Sequence, residues 1–343
     1  MRAIFAELST SAIVLVFAAA GLAVAIGGVF MAGLADQLAD RTGLGEAIIG
    51  GALLGATTSL SGTVTSVSAA ALDHPDLAVS NAIGGIAVQT AFLAVADITY
   101  RRANLEHAAI SSSNLAQATL LVILLSLPVL AIALPPMTTL GVHPVSILLA
   151  AVYVFGLRLT ARIRQEPMWI AKVTPFTRHD RPDPRATEGD GTALLSAKFI
   201  LVAAIVGTSG WLIAVSGLEL AARTGIEETV LGALMTATIT SLPELVTTLA
   251  AVRRNALQLA VGGIIGGNAF DVLFLVLSDM AYRPGSIYHA AGEQFLFWLA
   301  TGIVMSAVLL LGLVARVQHG VARIGFESAA ILVIYASAVL LTV

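Results

Sequence analysis

Residues 108–157 contain no Asp, Glu, Lys or Arg, and residues 9–35 contain none before Asp36. About 20 apolar residues span the hydrocarbon core of a bilayer. The first of these stretches is therefore long enough for two crossings and the second for one. Charged residues make up only 11% of the 343, and mean hydropathy is +0.92. A soluble domain of this size needs more charge to cover its surface. The run at 9–35 is too long for a signal peptide and is followed by many others. The net charge of −3 indicates no partner, and the absence of cysteine excludes disulfides and thiolate metal sites. No basic run interleaved with aromatics suggests nucleic acid, and no G-x-x-x-x-G-K-[ST] loop suggests ATP. The fold class expected is an all-α integral membrane protein.

The apolar pattern predicts ten transmembrane helices, near 8–35, 45–71, 76–98, 113–134, 142–161, 194–220, 228–252, 257–280, 289–314 and 325–342. Five lie in residues 1–161 and five in 194–343. Between them, 162–193 carries RHDRPDPRATEGDG, whose proline, glycine and charge read as a linker. With this linker in the cytoplasm, about 15 basic residues fall inside against 3 outside, namely Arg2, Arg223 and Arg283. That bias places both termini outside a multi-pass protein of the cell (inner) membrane.

The two halves repeat. Residues 38–101 align without a gap on 220–283, at an offset of 182, with roughly 25 identities in about 64 positions. LADRTGLGEAIIGG matches LAARTGIEETVLGA, and LAVSNAIGGIAVQTAFLAVADITYR matches LAVGGIIGGNAFDVLFLVLSDMAYR. Five helices per half is an odd number, so the second half enters from the opposite side. The expected architecture is two inverted five-helix repeats, as in many secondary transporters.

Each half carries a polar patch inside an apolar helix. In the second it is Thr240, Ser241, Leu242, Pro243 and Glu244. Proline removes a backbone hydrogen bond and frees carbonyls at membrane depth. An unpaired carboxylate there costs several kcal/mol, so Glu244 must be protonated, paired or bound to a cation. Carbonyl, hydroxyl and carboxylate oxygens together suit a hard cation such as Na⁺ or Ca²⁺. The next helix supplies GGIIGGNAFD, in which Asn268 and Asp271 are three apart and share a face. Gly262, Gly263, Gly266 and Gly267 would let helices approach closely.

TSLPEL followed by GGIIGGNAFD resembles the second alpha-repeat of the calcium/cation exchanger superfamily, whose pattern is G-T-S-x-P-E and then G-N-x-x-G-S-N-x-x-[ND]. The resemblance extends over both repeats. It implies cation-lining roles for Thr240, Ser241, Glu244, Asn268 and Asp271, and exchange of Ca²⁺ for Na⁺, K⁺ or H⁺. The first repeat departs from the pattern. It reads TTSLSG, so Ser61 and Gly62 stand where proline and glutamate are expected. In SNAIGGIAVQ, Asn81 is kept, Ile86 replaces the second asparagine, and Gln89 holds the last ligand position. In the second repeat Gly263 stands at the first asparagine position. The resemblance leaves Thr58, Ser59, Asn81 and Gln89 as neutral ligands of a degenerate half-site. Gly62 could loosen its helix, but without proline a break is not assured.

Other repeated acids have plainer readings. Asp97 and Asp279 each precede an arginine by four residues, Arg101 and Arg283, and read as interfacial ion pairs. Glu46 and Glu228 read as first-turn acids. The six histidines fall in loops or helix ends without metal-ligand spacing. The function expected is secondary cation antiport, most simply Na⁺/Ca²⁺ exchange. The alternatives are cation/proton exchange with Glu244 as proton carrier, and a non-transporting cation-binding relative. Neither enzymatic activity nor a cofactor beyond the transported Na⁺, Ca²⁺ or H⁺ is expected, and the partners are inorganic cations and the lipid bilayer.

Overall fold

The computed structural model describes residues 5, 7–42, 55–100, 102–109, 111–166, 168, 172–174, 191–320 and 324–343. Arg2, Glu46, Arg101, Arg323, the start of the helix expected at 45–71 and linker residues 175–190 lie outside them. The described residues form helices and no named strand. In chain order these are α1 Thr10–Thr42, α2 Leu60–Ala71, α3 Pro75–Thr99, α4 Leu105–Ala108, α5 Ser112–Ala133 and α6 Pro144–Gln165. Then come α7 Thr192–Thr224, α8 Glu228–Thr240, α9 Leu242–Arg253, α10 Leu257–Ala281, α11 Ile287–Ala290, α12 Glu293–Ala315 and α13 Phe326–Thr342.

Seven of the described helices are long and apolar enough to cross a membrane, or eight if α8 and α9, bent by 44° at their junction, count as one span. The α13 helix is 17 residues long. The bounds repeat. α1, α2, α3 and α4 each begin and end 182 residues before α7, α9, α10 and α11, the spacing that also separates Gln89 from Asp271. The sequence repeat is thus carried into every helix end of these four pairs.

Composition explains the layering. Helix α3 carries small and aliphatic residues on every face, the polar side chains Ser80, Asn81, Gln89, Thr90 and Asp97 within it being buried too, and such a helix belongs in the interior. It lies at the centre, packed on α2, α8, α10, α12 and α13. Its Leu77, Ile83 and Ile86 join Leu121, Leu124, Ile264, Ile265, Trp298 and Met305 in the main core. Helices α1 and α7 run together at the periphery around a separate cluster of Ile13, Phe17, Val24, Ile213 and Leu220. Their other faces expose Leu15, Phe30, Ile200 and Leu201. Such a face is at home only against lipid.

Two expectations are corrected. Gly263 meets no neighbour within 4 Å of an added Cβ. An added Cβ on Gly262 would meet Asn114 Oδ1 at 2.9 Å, and a tighter approach lies between α3 and α8, where a Cβ on Gly84 would strike the Ala233 backbone and one on Gly232 would strike Ser80. Asp279 forms no interfacial ion pair with Arg283. It is fully buried and accepts from the backbone N–H groups of His143 (2.7 Å) and Ile287 (3.1 Å) and the Ser146 hydroxyl (2.7 Å), while Arg283 is exposed. Asp97, equally buried, accepts from the N–H groups of Leu105 (2.6 Å) and Gly325 (3.0 Å). Backbone amides at turns otherwise lack partners in an apolar setting, and these carboxylates supply them. Glu228 does sit in the first turn of α8, and it also meets His74 Nδ1 at 2.6 Å.

Candidate cation site

Both polar patches interrupt their helices. Ser241 separates α8 from α9 with φ −94° and ψ 3°. Pro243, two residues on, cannot donate a hydrogen bond, and the chain turns there. Helix α8 also contains a π-helical stretch at Leu231–Thr236, a geometry frequent at functional sites. In the first half Ser59 separates the helical residues 55–58 from α2 with φ −83° and ψ 4°. The same departure occurs at the equivalent residue without a proline. Two side chains accompany it: the Thr63 hydroxyl bonds back to the Ser59 carbonyl at 2.9 Å, and Ser61 Oγ reaches across to the Thr240 carbonyl at 3.3 Å. Hydroxyls that bond back to the preceding turn bend helices.

The two breaks face one another across α3 and α10. Between them lies a cavity of about 10 Å³, lined by Ser59, Gly62, Asn81, Gly85, Gln89, Thr240, Ser241, Glu244, Asp271 and Phe274. That volume holds about one water-sized occupant. Glu244, in the first turn of α9, accepts from Ser59 Oγ at 3.4 Å and also from Thr58. Asp271 accepts from Gln89 Nε2 at 2.6 Å, and from Ser59. Gln89 Nε2 also donates to Ser241 Oγ at 3.2 Å. Ser59 thus links the two carboxylates, and Gln89 stands opposite Asp271 where a charge could have stood.

The satisfied atoms define the unsatisfied ones. Glu244 Oε2, Asp271 Oδ1 and Gln89 Oε1 are buried and have no hydrogen-bond partner. Buried polar oxygens normally find partners, and burying a carboxylate oxygen without one is costly. These three belong to residues lining one small cavity and form an acceptor-only set. A cation would complete it.

The remaining expected ligands fall at different distances from this centre. Ser59, Asn81, Gln89, Thr240, Ser241, Glu244 and Asp271 line the cavity; Thr58 and Asn268 do not. Thr58 donates to the Gly55 carbonyl at 3.2 Å and acts behind Glu244. Asn268 donates to Thr90 Oγ1 at 2.9 Å and keeps a buried, unpartnered Oδ1. Asn81 lines the cavity but its amide is engaged. It donates to the Gly62 carbonyl (3.2 Å) and Ser66 Oγ (2.9 Å), and accepts from the Thr236 hydroxyl (2.8 Å).

Two further lining residues are Gly85, at the serine position of the first-repeat motif, and Phe274, which carries no motif signal. Gly85 leaves room beside Ser241 and Asp271, to which an added Cβ would stand at 3.7 and 3.9 Å. Phe274 occupies the place beside Gly62, where an added Cβ would meet its ring at 2.8 Å. An aromatic ring therefore lies where the second glutamate of the family pattern would enter. Only the repeat, set against Gly62, hinted that something must fill that space.

With this geometry in place, comparison with known proteins decides the family. The sodium/calcium exchanger protein family model matches residues 12–160 and, separately, 195–343. The chain belongs to that family. Its members are transporters rather than enzymes, and the exchange they carry out is Na⁺/Ca²⁺ or H⁺/Ca²⁺ exchange. The chain is 38% identical over 88 residues to the sodium/calcium exchanger MaX1 of Methanosarcina acetivorans, which is 25% of this chain and 24% of that one. It is 29% identical over 122 residues to CaxA of Alkalimonas amylolytica, described as a candidate antiporter, covering 35% and 38% of the two chains. The matched segments therefore span well under half the length of these relatives. Among solved structures, the sodium-calcium exchanger NCX_Mj superposes with a TM-score of 0.61 at 19% identity, covering 97% of this chain and 99% of that one. The H⁺/Ca²⁺ exchanger CAX superposes with a TM-score of 0.68 at 12% identity, covering 99% and 88%. At such identities these structures establish the shared fold.

Proposed function

We propose that this family member is a secondary antiporter exchanging Na⁺ for Ca²⁺ by alternating access. The observation that carries the reading is the pair of buried, partnerless oxygens, Glu244 Oε2 and Asp271 Oδ1, on residues lining one ion-sized cavity between two helix breaks. Thr240, Ser241, Ser59 and Gln89 complete the cation's shell, Asn81 holds the wall, and Thr58 and Asn268 support the shell from behind. Ten spans arranged as two inverted five-helix repeats, with the linker in the cytoplasm and both termini outside the cell membrane, give such a site its two routes of access. The coincident helix bounds at the 182-residue spacing support the repeat. The Lys and Arg distribution supports the orientation.

Cation/proton exchange is the second reading, and the first half-site favours it. Gly62 and Gln89 leave two carboxylates at the cavity, both from the second half. Fewer anions neutralise fewer monovalent ions, and a proton on Glu244 would balance a departing cation without any further ligand. The test is Ca²⁺ flux in proteoliposomes under opposed gradients. Uptake driven by internal Na⁺ at equal pH supports the first reading, and uptake driven only by a pH gradient supports the second. Uptake without any counter-ion, or no uptake under any gradient, overturns both.

A further inference from the structure

A second group of buried carboxyls lies at the far end of α3, away from the cation site. Asp97 closes α3, Glu106 sits in α4, and Glu327 is in the first turn of α13; their exposures are 0, 1 and 1%. Both oxygens of Glu106 and Oε2 of Glu327 are buried without a hydrogen-bond partner. The Glu106 and Glu327 carboxyls nevertheless lie within hydrogen-bonding reach of each other. Two ionised carboxylates offer each other no donor. A proton between them supplies one.

The equivalent place in the second half shows what a fully satisfied version looks like. There Asp279 takes the two turn amides, and Ser146 Oγ bonds both Asp279 (2.7 Å) and Tyr288 Oη (2.8 Å). In the first half, 182 residues earlier in the aligned repeat, Glu106 stands in place of Tyr288. A neutral phenol with a hydroxyl partner is thus replaced by a carboxyl whose partner is a second carboxyl. The Glu327 side chain fills a slot that only glycine leaves open. A Cβ on Gly312 would strike its methylenes, and one on Gly325 would strike Oε1.

We propose that Glu106 and Glu327 hold one proton between them, forming a proton-binding site distinct from the cation site that ties α4 to α13. The seam it closes is otherwise made by Asn104 and His107 bonding residues 316–320, between α12 and α13. Asn104 N donates to Gln318 O (3.0 Å), Asn104 Nδ2 donates to Val317 O (2.8 Å), Gly320 N donates to Asn104 Oδ1 (3.2 Å), and His107 Nδ1 meets Arg316 O (2.8 Å). Asp97 from α3 is the titratable group whose charge acts on both glutamates, and His107 of α4 and Arg316 at the end of α12 lie in the same seam. The Asp97 oxygens are held by two amides, and Arg316 is directed at the His107 and Lys172 carbonyls. With the Asp97 oxygens taken by amides, what the pair lacks is a donor between its own two carboxyls, and a proton supplies it.

Burial, followed by the nearby Asp97 and Glu327, pushes the Glu106 carboxyl well above the usual carboxylate range. The folded protein then binds a proton that the unfolded chain has already lost. Stability from this site is present at low pH and is lost as pH rises from the ordinary carboxylate range through the folded titration.

The experiment uses infrared spectroscopy of the purified protein in a Glu244→Gln, Asp271→Asn background, which removes the cation-site carboxyls. A protonated-carboxyl band should persist at neutral pH. Adding either Glu106→Gln or Glu327→Gln should abolish it, because the amide N–H replaces the shared proton. Thermal unfolding in the same Glu244→Gln, Asp271→Asn background should fall with rising pH, and this step should vanish when either Glu106→Gln or Glu327→Gln is added. No band at neutral pH, a band that disappears only when both glutamates are replaced, or an unchanged pH dependence of unfolding in Glu106→Gln or Glu327→Gln would overturn the proposal.

Discussion

Gly62 is where the first half-site lost its glutamate, and the structure shows why that position now resists any side chain. The obstruction begins at Cβ, which would lie 2.8 Å from Phe274 Cε2 and 3.3 Å from Cζ. Phe274 is 3% exposed and packs edge-on to Phe270 at 6.2 Å, so its ring has nowhere to withdraw. Forcing a methyl group into such packing costs about 1–3 kcal/mol. Gly62→Ala should therefore destabilise by that amount, and Gly62→Glu by at least as much. Phe274→Leu removes the blocking ring edge at a cost of about 1–2 kcal/mol. The two positions touch, so the double variant Gly62→Glu, Phe274→Leu should recover about 1–2 kcal/mol relative to the sum of its parts. The new carboxylate would also face the cavity across from Glu244. A unit charge about 4 Å from a monovalent cation is worth about 4 kcal/mol at an effective dielectric constant of about 20. If only half survives imperfect placement, cation affinity rises about 30-fold. The assays are thermal unfolding in detergent and Ca²⁺ and Na⁺ titrations of native, single and double variants. Additive stabilities would refute the packing argument, and unchanged affinity in a folded double variant would refute the placement of the cavity beside Gly62.

Glu244→Gln keeps the side-chain shape and removes the charge. Coupled cation flux in proteoliposomes should fall to background, whereas Asp271→Asn, which retains its Gln89 neighbour, should reduce flux by less; unchanged flux in Glu244→Gln would sink the site. Asp279→Ala leaves two backbone amides and the Ser146 hydroxyl without their acceptor and should cost about 2–4 kcal/mol in thermal unfolding, while Arg283→Ala should stay within about 0.5 kcal/mol. Equal effects of these two substitutions would reinstate the ion pair. The chain contains no cysteine, so single cysteines placed at 175–190 should be labelled only from the cytoplasm and those near either terminus only from outside. Labelling of the linker from outside would reverse the proposed orientation.

Much of the scaffold was legible because it depends on local composition. Charge-free runs mark the spans, and the alignment of 38–101 on 220–283 anticipates helix ends that coincide from α1 and α7 through α4 and α11. The second-half motif led directly to Glu244 and Asp271, since a carboxylate inside an apolar helix needs a partner wherever it points. The first half was harder to read. A break at Ser59 was not assured from TTSLSG, and it depends in part on Ser61 meeting a carbonyl 179 residues away.

What the sequence determined by itself, then, is which segments are apolar enough to enter an apolar layer, how the halves correspond and which buried carboxylates need neutralising. These follow from the cost of burying charge and from periodicity, neither of which needs a second element in place. Only the tertiary structure decided which way each polar side chain turned. Asn268 donates to Thr90, Asp97 and Asp279 took turn amides, Asp279 without its Arg283, and Phe274 took the space beside Gly62. In every case the partner comes from elsewhere in the fold. The physical reason is that a buried donor or acceptor is satisfied by whatever packing brings within about 3 Å, and residue spacing along one helix carries no record of that.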